Sequence, residues 1–212
     1  EWYQETLGDG RPVIIYLHGN VGTRWDESSR TETLELILME SSGYHRPPGL
    51  CTGFGDSTGE PSESGMTSDT FYLYQWVKKR SRGGHVYLWG HSLGSAVDAL
   101  ILEAPYTTIR EVVALHPLAK VRPILMKTIS DCGYIFYPLR SLKALTSPLL
   151  ILHAEDDNIV PYHMGLKLYQ ISLQAKKKYN TDVRVEMISY SANLGFSHSS
   201  IYLDPNLSNV VR

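Results

Sequence analysis

Cysteine is scarce: the 212 residues hold two, Cys51 and Cys132. That excludes a disulfide framework and a cysteine-based zinc ligand set. An excess of one charge is also missing. Against 22 Asp and Glu stand 20 Lys and Arg, a formal net charge of −2. No field therefore favours nucleic acid or an anionic surface. The short basic runs Lys78–Arg80 and Lys176–Lys178 fall at expected helix ends, where they complement the helix dipole. Long apolar runs are absent. No stretch approaches the roughly 20 residues needed to span a bilayer, and no signal peptide opens the chain. No repeat or low-complexity linker divides the sequence. Asn206-Leu-Ser208 is a lone glycosylation sequon, meaningful only in the secretory pathway.

What is present is an ordinary globular composition, 42% hydrophobic, long enough to bury a substantial core. Strand-like runs near 12–17, 85–89, 98–103, 148–153 and 182–189 alternate with helical periodicity over Asp26–Met39, Thr67–Lys79 and Met164–Lys178. This alternation predicts an α/β fold, a mainly parallel sheet flanked by helices, as a single domain over 1–212. Leu34, Ile37 and Leu38, then Leu73, Trp76 and Val77, then Leu168, Ile171 and Ala175 make the expected buried stripes. Thr67 or Ser68 is the expected cap of the second helix. The weakly periodic stretch 107–147 reads either as a lid or acyl-pocket segment or as a plain connection.

Chemistry enters at Gly90-His91-Ser92-Leu93-Gly94, directly after the apolar run His85–Trp89. Glycines two residues either side of a serine permit a tight strand-to-helix turn that lifts the hydroxyl clear of the sheet. An acid and a histidine follow in order, each just beyond a strand. Asp157 leaves the run Pro148–His153 in the pattern Asp-x-x-Val-Pro, and His198 trails the alternating run Asp182–Ser189. The order Ser, Asp, His is that of α/β-hydrolases. A serine hydroxyl is a weak nucleophile, so His198 is needed to take its proton, and Asp157 to fix the imidazole. The oxyanion needs backbone donors: Leu93 N–H, and Asn20 or Val21 N–H from the loop His18–Val21. Asp156 reads as a turn or capping residue, and His91 as a packing residue of the turn. His18, His85, His116, His153 and His163 read as structural histidines. Ser199 and Ser200 read as ordinary loop residues.

Together these residues resemble the α/β-hydrolase-domain family, in its lysophosphatidylserine lipase and monoacylglycerol lipase branch. The stretches that carry the likeness are Tyr16–Thr23, Gly53–Pro61, Val86–Gly94, Ala99–Thr107, Leu149–Asp157 and Leu194–His198. The resemblance implies Ser92 as nucleophile, Asp157 as acid and His198 as base. It implies a monoacyl lipid ester as the small-molecule substrate, a lysophospholipid or monoacylglycerol, and no cofactor or metal. Members of the branch carry a membrane-spanning segment ahead of the hydrolase domain and work at endoplasmic reticulum membranes. With no such segment here, the chain reads as a catalytic-domain fragment, cytoplasmic if the likeness does not extend that far. Oligomeric state is left open.

Two departures from the family stand out. Only Leu93–Val97 separate Ser92 from the strand signal at Asp98, whereas a parallel crossover takes about a dozen residues. The fold is therefore expected to lack the helix after the nucleophile. Pro47-Pro48 also falls where the family has a strand, and two prolines fit no central strand. The leading expectation is a serine ester hydrolase of monoacyl lipids. The alternatives are a catalytically silent chain acting as a binding module, or a thioesterase or peptidase with the same triad.

Overall fold

A computed structural model describes residues 7–19, 58–59, 63–96, 101–108, 111–112, 115 and 147–211. Its elements run β1 (Val13–Leu17), α1 (Glu63–Arg80), β2 (Val86–His91), β3 (Ile101–Glu103), β4 (Leu149–Ala154), α2 (Tyr162–Lys178), β5 (Val185–Tyr190) and α3 (Leu207–Val210). Among the described residues the strands form one five-stranded sheet in the order β1-β2-β3-β4-β5, parallel throughout. The predicted α/β architecture is the one observed.

The strands are parallel because both faces are covered, which is why they read as continuous apolar runs. In β1 alternate residues serve opposite layers. Val13, Ile15 and Leu17 pack with Leu88, Leu102 and Ile151 against Val77 of α1 and Leu168 and Ala175 of α2. Ile14 and Tyr16 join Trp89, Leu152, Tyr190, Ile201 and Leu207 on the other face. Leu168 is fully buried, so truncating it to alanine is expected to cost about 2–5 kcal/mol. The basic triplets close the last turns of α1 and α2, as expected from the helix dipole.

One local reading is corrected. Helix α1 begins at Glu63, so Thr67 and Ser68 lie inside it rather than capping it. Met66 explains the extension. It is buried with Leu93, Tyr106, Val160 and Met164, and this packing outweighs the weak helix preference of its neighbours. β3 is described over Ile101–Glu103 and pairs in parallel with β2 through Trp89↔Ile101, Gly90↔Leu102 and His91↔Glu103. Residues 98–100 of the expected strand lie outside the described residues. After β2 the chain opens as a single 3-10 turn, Ser92–Ala96, not an α-helix.

The helix expected over Asp26–Met39, the Pro47-Pro48 departure and most of 107–147 lie outside the described residues. Among the described residues no helix is long and apolar enough to cross a membrane.

Candidate active site

In parallel sheets, ligand sites form beyond the carboxyl ends of the strands. There Ser92 leaves β2, Asp157 follows β4 and His198 follows β5. Ser92 adopts φ 50°, in the left-handed region that L-residues rarely occupy, at a cost of about 1–2 kcal/mol. Both flanking glycines are demanded by space. A Cβ on Gly90 would run into the Gly94 carbonyl, and a Cβ on Gly94 into the Leu17 carbonyl of β1. Ser95 Oγ donates to the Ser92 carbonyl at 2.5 Å and fastens the turn. The loop after β1 passes close by: a Cβ on Gly19 would sit 2.9 Å from His91 Nδ1 and 3.5 Å from Ser92 Cβ. Asn20 and Val21, the expected second source of an oxyanion donor, lie outside the described residues. Leu93, the first expected source, is buried directly after the serine.

The Asp157 carboxylate is surrounded by donors. Oδ1 accepts the backbone N–H groups of Ile159 (2.9 Å) and Val160 (2.8 Å), closing the turn after β4. Oδ2 accepts from His198 Nδ1 at 2.8 Å and lies 3.2 Å from His153 Nε2. Burial alone pushes the carboxyl up. The hydrogen bonds from His153 and His198, the His198 charge and the Ile159 N–H outweigh it, holding the group well below the usual carboxylate range. A carboxylate only accepts, so the proton of neutral His198 sits on Nδ1. Nε2 is then left as the basic nitrogen.

The segment carrying His198 is held by consecutive side chains after β4. Glu155 accepts the Ala192 N–H (3.3 Å) and Asp156 the Ser197 N–H (3.0 and 3.1 Å). Asp157 takes the imidazole itself, and Asn158 Oδ1 accepts from Ser197 Oγ (3.1 Å). Two left-handed residues, Gly195 and Ser197, bend the segment back over the sheet edge. From the other side, His91 Nε2 donates to the His198 carbonyl at 3.0 Å, and the two rings lie 5.0 Å apart. Asp156 and His91 thus add to the readings they receive in the sequence, a turn residue and a packing residue of the turn. Asp156 ties two loops together, and His91 joins the serine turn to the histidine. No single-sequence signal marks either role, because acids in turns and histidines beside a nucleophile are common for unrelated reasons.

The structure brings Ser92, Leu93, Asp157 and His198 to one sheet edge. Among the described residues the Ser92 hydroxyl and His198 share no hydrogen bond, and no group of three or more His, Cys, Asp or Glu is arranged to hold a metal ion.

No family model matches the sequence. The whole chain aligns at 39% identity with the lysophosphatidylserine lipase ABHD12 of Rattus norvegicus and at 40% with that of Danio rerio. It spans 57% and 60% of those relatives' length. Among solved structures, the esterase Pf2001 of Pyrococcus furiosus superposes with a TM-score of 0.70 at 17% identity, over 97% of this chain and 80% of that one. That likeness speaks for the fold alone, and the fold is the same parallel sheet. Matched along its whole length to these relatives, and with the Ser, Asp, His order at one sheet edge, the chain has an α/β-hydrolase fold and is similar to the lysophosphatidylserine lipases ABHD12.

Proposed function

We propose that this chain is the hydrolytic part of a serine lipase that cleaves monoacyl lipid esters, lysophospholipid or monoacylglycerol, through an acyl-enzyme on Ser92. Ser92 Oγ attacks the ester carbonyl carbon while its proton passes to His198 Nε2. The tetrahedral oxyanion is received by Leu93 N–H and by Asn20 or Val21 N–H, such donors being worth about 3–4 kcal/mol each. As the intermediate collapses, His198 returns the proton to the departing alcohol. Water then repeats the sequence on the acyl-enzyme and releases the fatty acid. Asp157 keeps Nδ1 protonated and stabilises the imidazolium. The observation that carries the reading is the part-buried Asp157–His198 pair, 2.8 Å apart and in the tautomer a general base requires, with a serine in a left-handed turn at the same sheet edge.

The substrate class rests on the names of the relatives, lysophosphatidylserine lipases. On the branch resemblance we take the whole protein to act at an endoplasmic reticulum membrane without a cofactor, which cell fractionation checks. An active-site-directed fluorophosphonate tests the chemistry. Labelling at Ser92, with turnover of a lysophosphatidylserine that vanishes in Ser92→Ala, is the expected result. A folded protein that neither labels nor turns over ester rejects the proposal.

A second reading, a silent chain that binds without turnover, is favoured by the missing hydrogen bond between Ser92 and His198. Catalytic hydrogen bonds often tighten only when substrate arrives, so the apo geometry does not decide. Serine-dependent hydrolysis of a short-chain ester rules out the silent reading.

A further inference from the structure

We infer that His153 is a positioning residue for the acid–base pair, its Nε2–H shared between the Val160 carbonyl and Asp157 Oδ2. The inference rests on the serine hydrolase reading above. His153 lies on β4 and is completely buried. Its Nε2 is 2.9 Å from the Val160 carbonyl oxygen, which only accepts, so Nε2 carries a proton. That same nitrogen lies 3.2 Å from Asp157 Oδ2, with both side chains fully shielded from solvent.

The far side of the ring argues that packing does not explain it. Nδ1 is buried without a hydrogen-bond partner, a situation folded proteins generally avoid. A Cβ on Gly165 of α2 would collide with that nitrogen, so a residue of poor helix preference gives the imidazole room. The Tyr162 ring closes the pocket edge-on, 5.7 Å away. A leucine would fill this space without an orphan nitrogen or a helical glycine. Two locally unfavourable choices that converge on one side chain point to a role outside stability.

That role is visible at Asp157. Ile159 and Val160 N–H fix Oδ1, while His198 and His153 approach Oδ2 from β5's loop and from β4. Few carboxylate orientations satisfy all these donors. The ionisable groups facing the pair are accounted for. Asp156 is turned to Ser197 N–H, His91 faces His198 from the serine turn, and α2 presents Tyr162 and Gly165. The added donor also draws charge from Oδ2 and weakens its pull on the His198 imidazolium. Without it that pull strengthens, and the acid limb of the pH–rate profile is expected to move up, which loss of a purely structural residue would not cause.

The test is kcat and KM against pH on a short-chain ester for His153→Phe, His153→Gln and Ser92→Ala. His153→Phe is expected to lower kcat about tenfold with KM nearly unchanged, and to move the acid limb of kcat/KM up by about half a pH unit. His153→Gln restores an N–H near the Nε2 position and is expected to recover most of both. If Ser92→Ala retains activity, the hydrolase reading fails. If Ser92→Ala is inactive while His153→Phe keeps kcat and the limb unchanged, this inference alone is overturned. Should His153→Phe fail to fold, ¹⁵N-histidine NMR of the unsubstituted protein decides. The His153 ring, assigned by its loss in His153→Gln, is expected as the Nε2–H tautomer with a proton resonance that shifts in Asp157→Asn. An Nδ1–H tautomer, or no shift, overturns the inference.

Discussion

Around Ser92 the chain is fixed by lack of room. Around His198 it is fixed by polar side chains. The serine turn packs so closely on itself and on β1 that Gly90 and Gly94 accept no Cβ. The segment 192–198 meets no such crowding. Gly195 has open space where its Cβ would go, and the shape comes from Glu155, Asp156, Asp157 and Asn158 on one side and His91 on the other. The nucleophile is thus placed by backbone contact, and the base by charge-assisted hydrogen bonds. The first kind of support ought to fail through loss of the fold, the second through loss of rate in a protein that stays folded.

Asp157→Asn puts the second half of that contrast under the greatest strain. Asparagine nearly keeps the volume but can turn an amide toward His198 and reverse its tautomer, so kcat is expected to fall about 10⁴-fold with the fold retained. The same variant has an acid signature. The native carboxyl sits below its ordinary value of 3.8. Its contribution to stability is therefore present above that pH and lost as pH falls beneath it toward the native value. Melting temperatures of Asp157→Asn should decline less steeply below about pH 4 than those of the unsubstituted protein. An equally steep decline would show that the native pair does not hold the carboxyl ionised.

The glycines test the other half. Gly94→Ala drives a methyl into the Leu17 carbonyl, a backbone atom that cannot swing away. About 3 kcal/mol or more of stability should go, with a melting temperature lower by roughly 10 °C. Gly195→Ala meets only the left-handed backbone, φ 67°, and should cost about 1 kcal/mol. Equal losses in parallel thermal melts would erase the distinction.

This contrast also explains what could be read without coordinates. Steric demand leaves one residue type possible, so Gly90 and Gly94 announce the turn, and unbroken apolar runs announce strands covered on both faces. The β4 run with Asp157 behind it is similarly plain, because a turn beyond a strand end needs an acceptor for the N–H groups of Ile159 and Val160. The tethers are not plain. Glu155, Asp156 and Asn158 are what any exposed turn contains, and their partners lie far along the chain. The start of α1 is not plain either, because burial of Met66 overrides local preference.

Asp156→Ala asks how much one tether carries. It frees the Ser197 N–H, leaving His198 its ring contact with Asp157 and its carbonyl contact with His91. A misplacement of the base near 1 Å is worth up to about 10²-fold in rate, so a loss of about tenfold in kcat is expected with the remaining tethers in place. Little change in melting temperature should accompany it, since the bond lies near the surface. An unchanged kcat would mean that His91 and Asp157 hold the histidine unaided.

The smallest expected effect concerns the apolar side of the same segment. Tyr190, at the end of β5, packs edge-on against Phe196, ring centroids 5.3 Å apart. Burial pushes its hydroxyl well above the ordinary value of 10.0, and the charges of Asp204 and Glu103 add to the shift. A raised native value means that the folded chain keeps a proton which the unfolded chain gives up first. The contribution is therefore whole below pH 10.0 and lost as pH rises beyond it. Tyr190→Phe keeps the ring contact and discards the titration. It should leave kcat near pH 7 unchanged while softening the fall of melting temperature above about pH 10. If rate drops as well, the hydroxyl takes part in setting the segment, and the division between polar tethers and apolar support has to be redrawn at this residue.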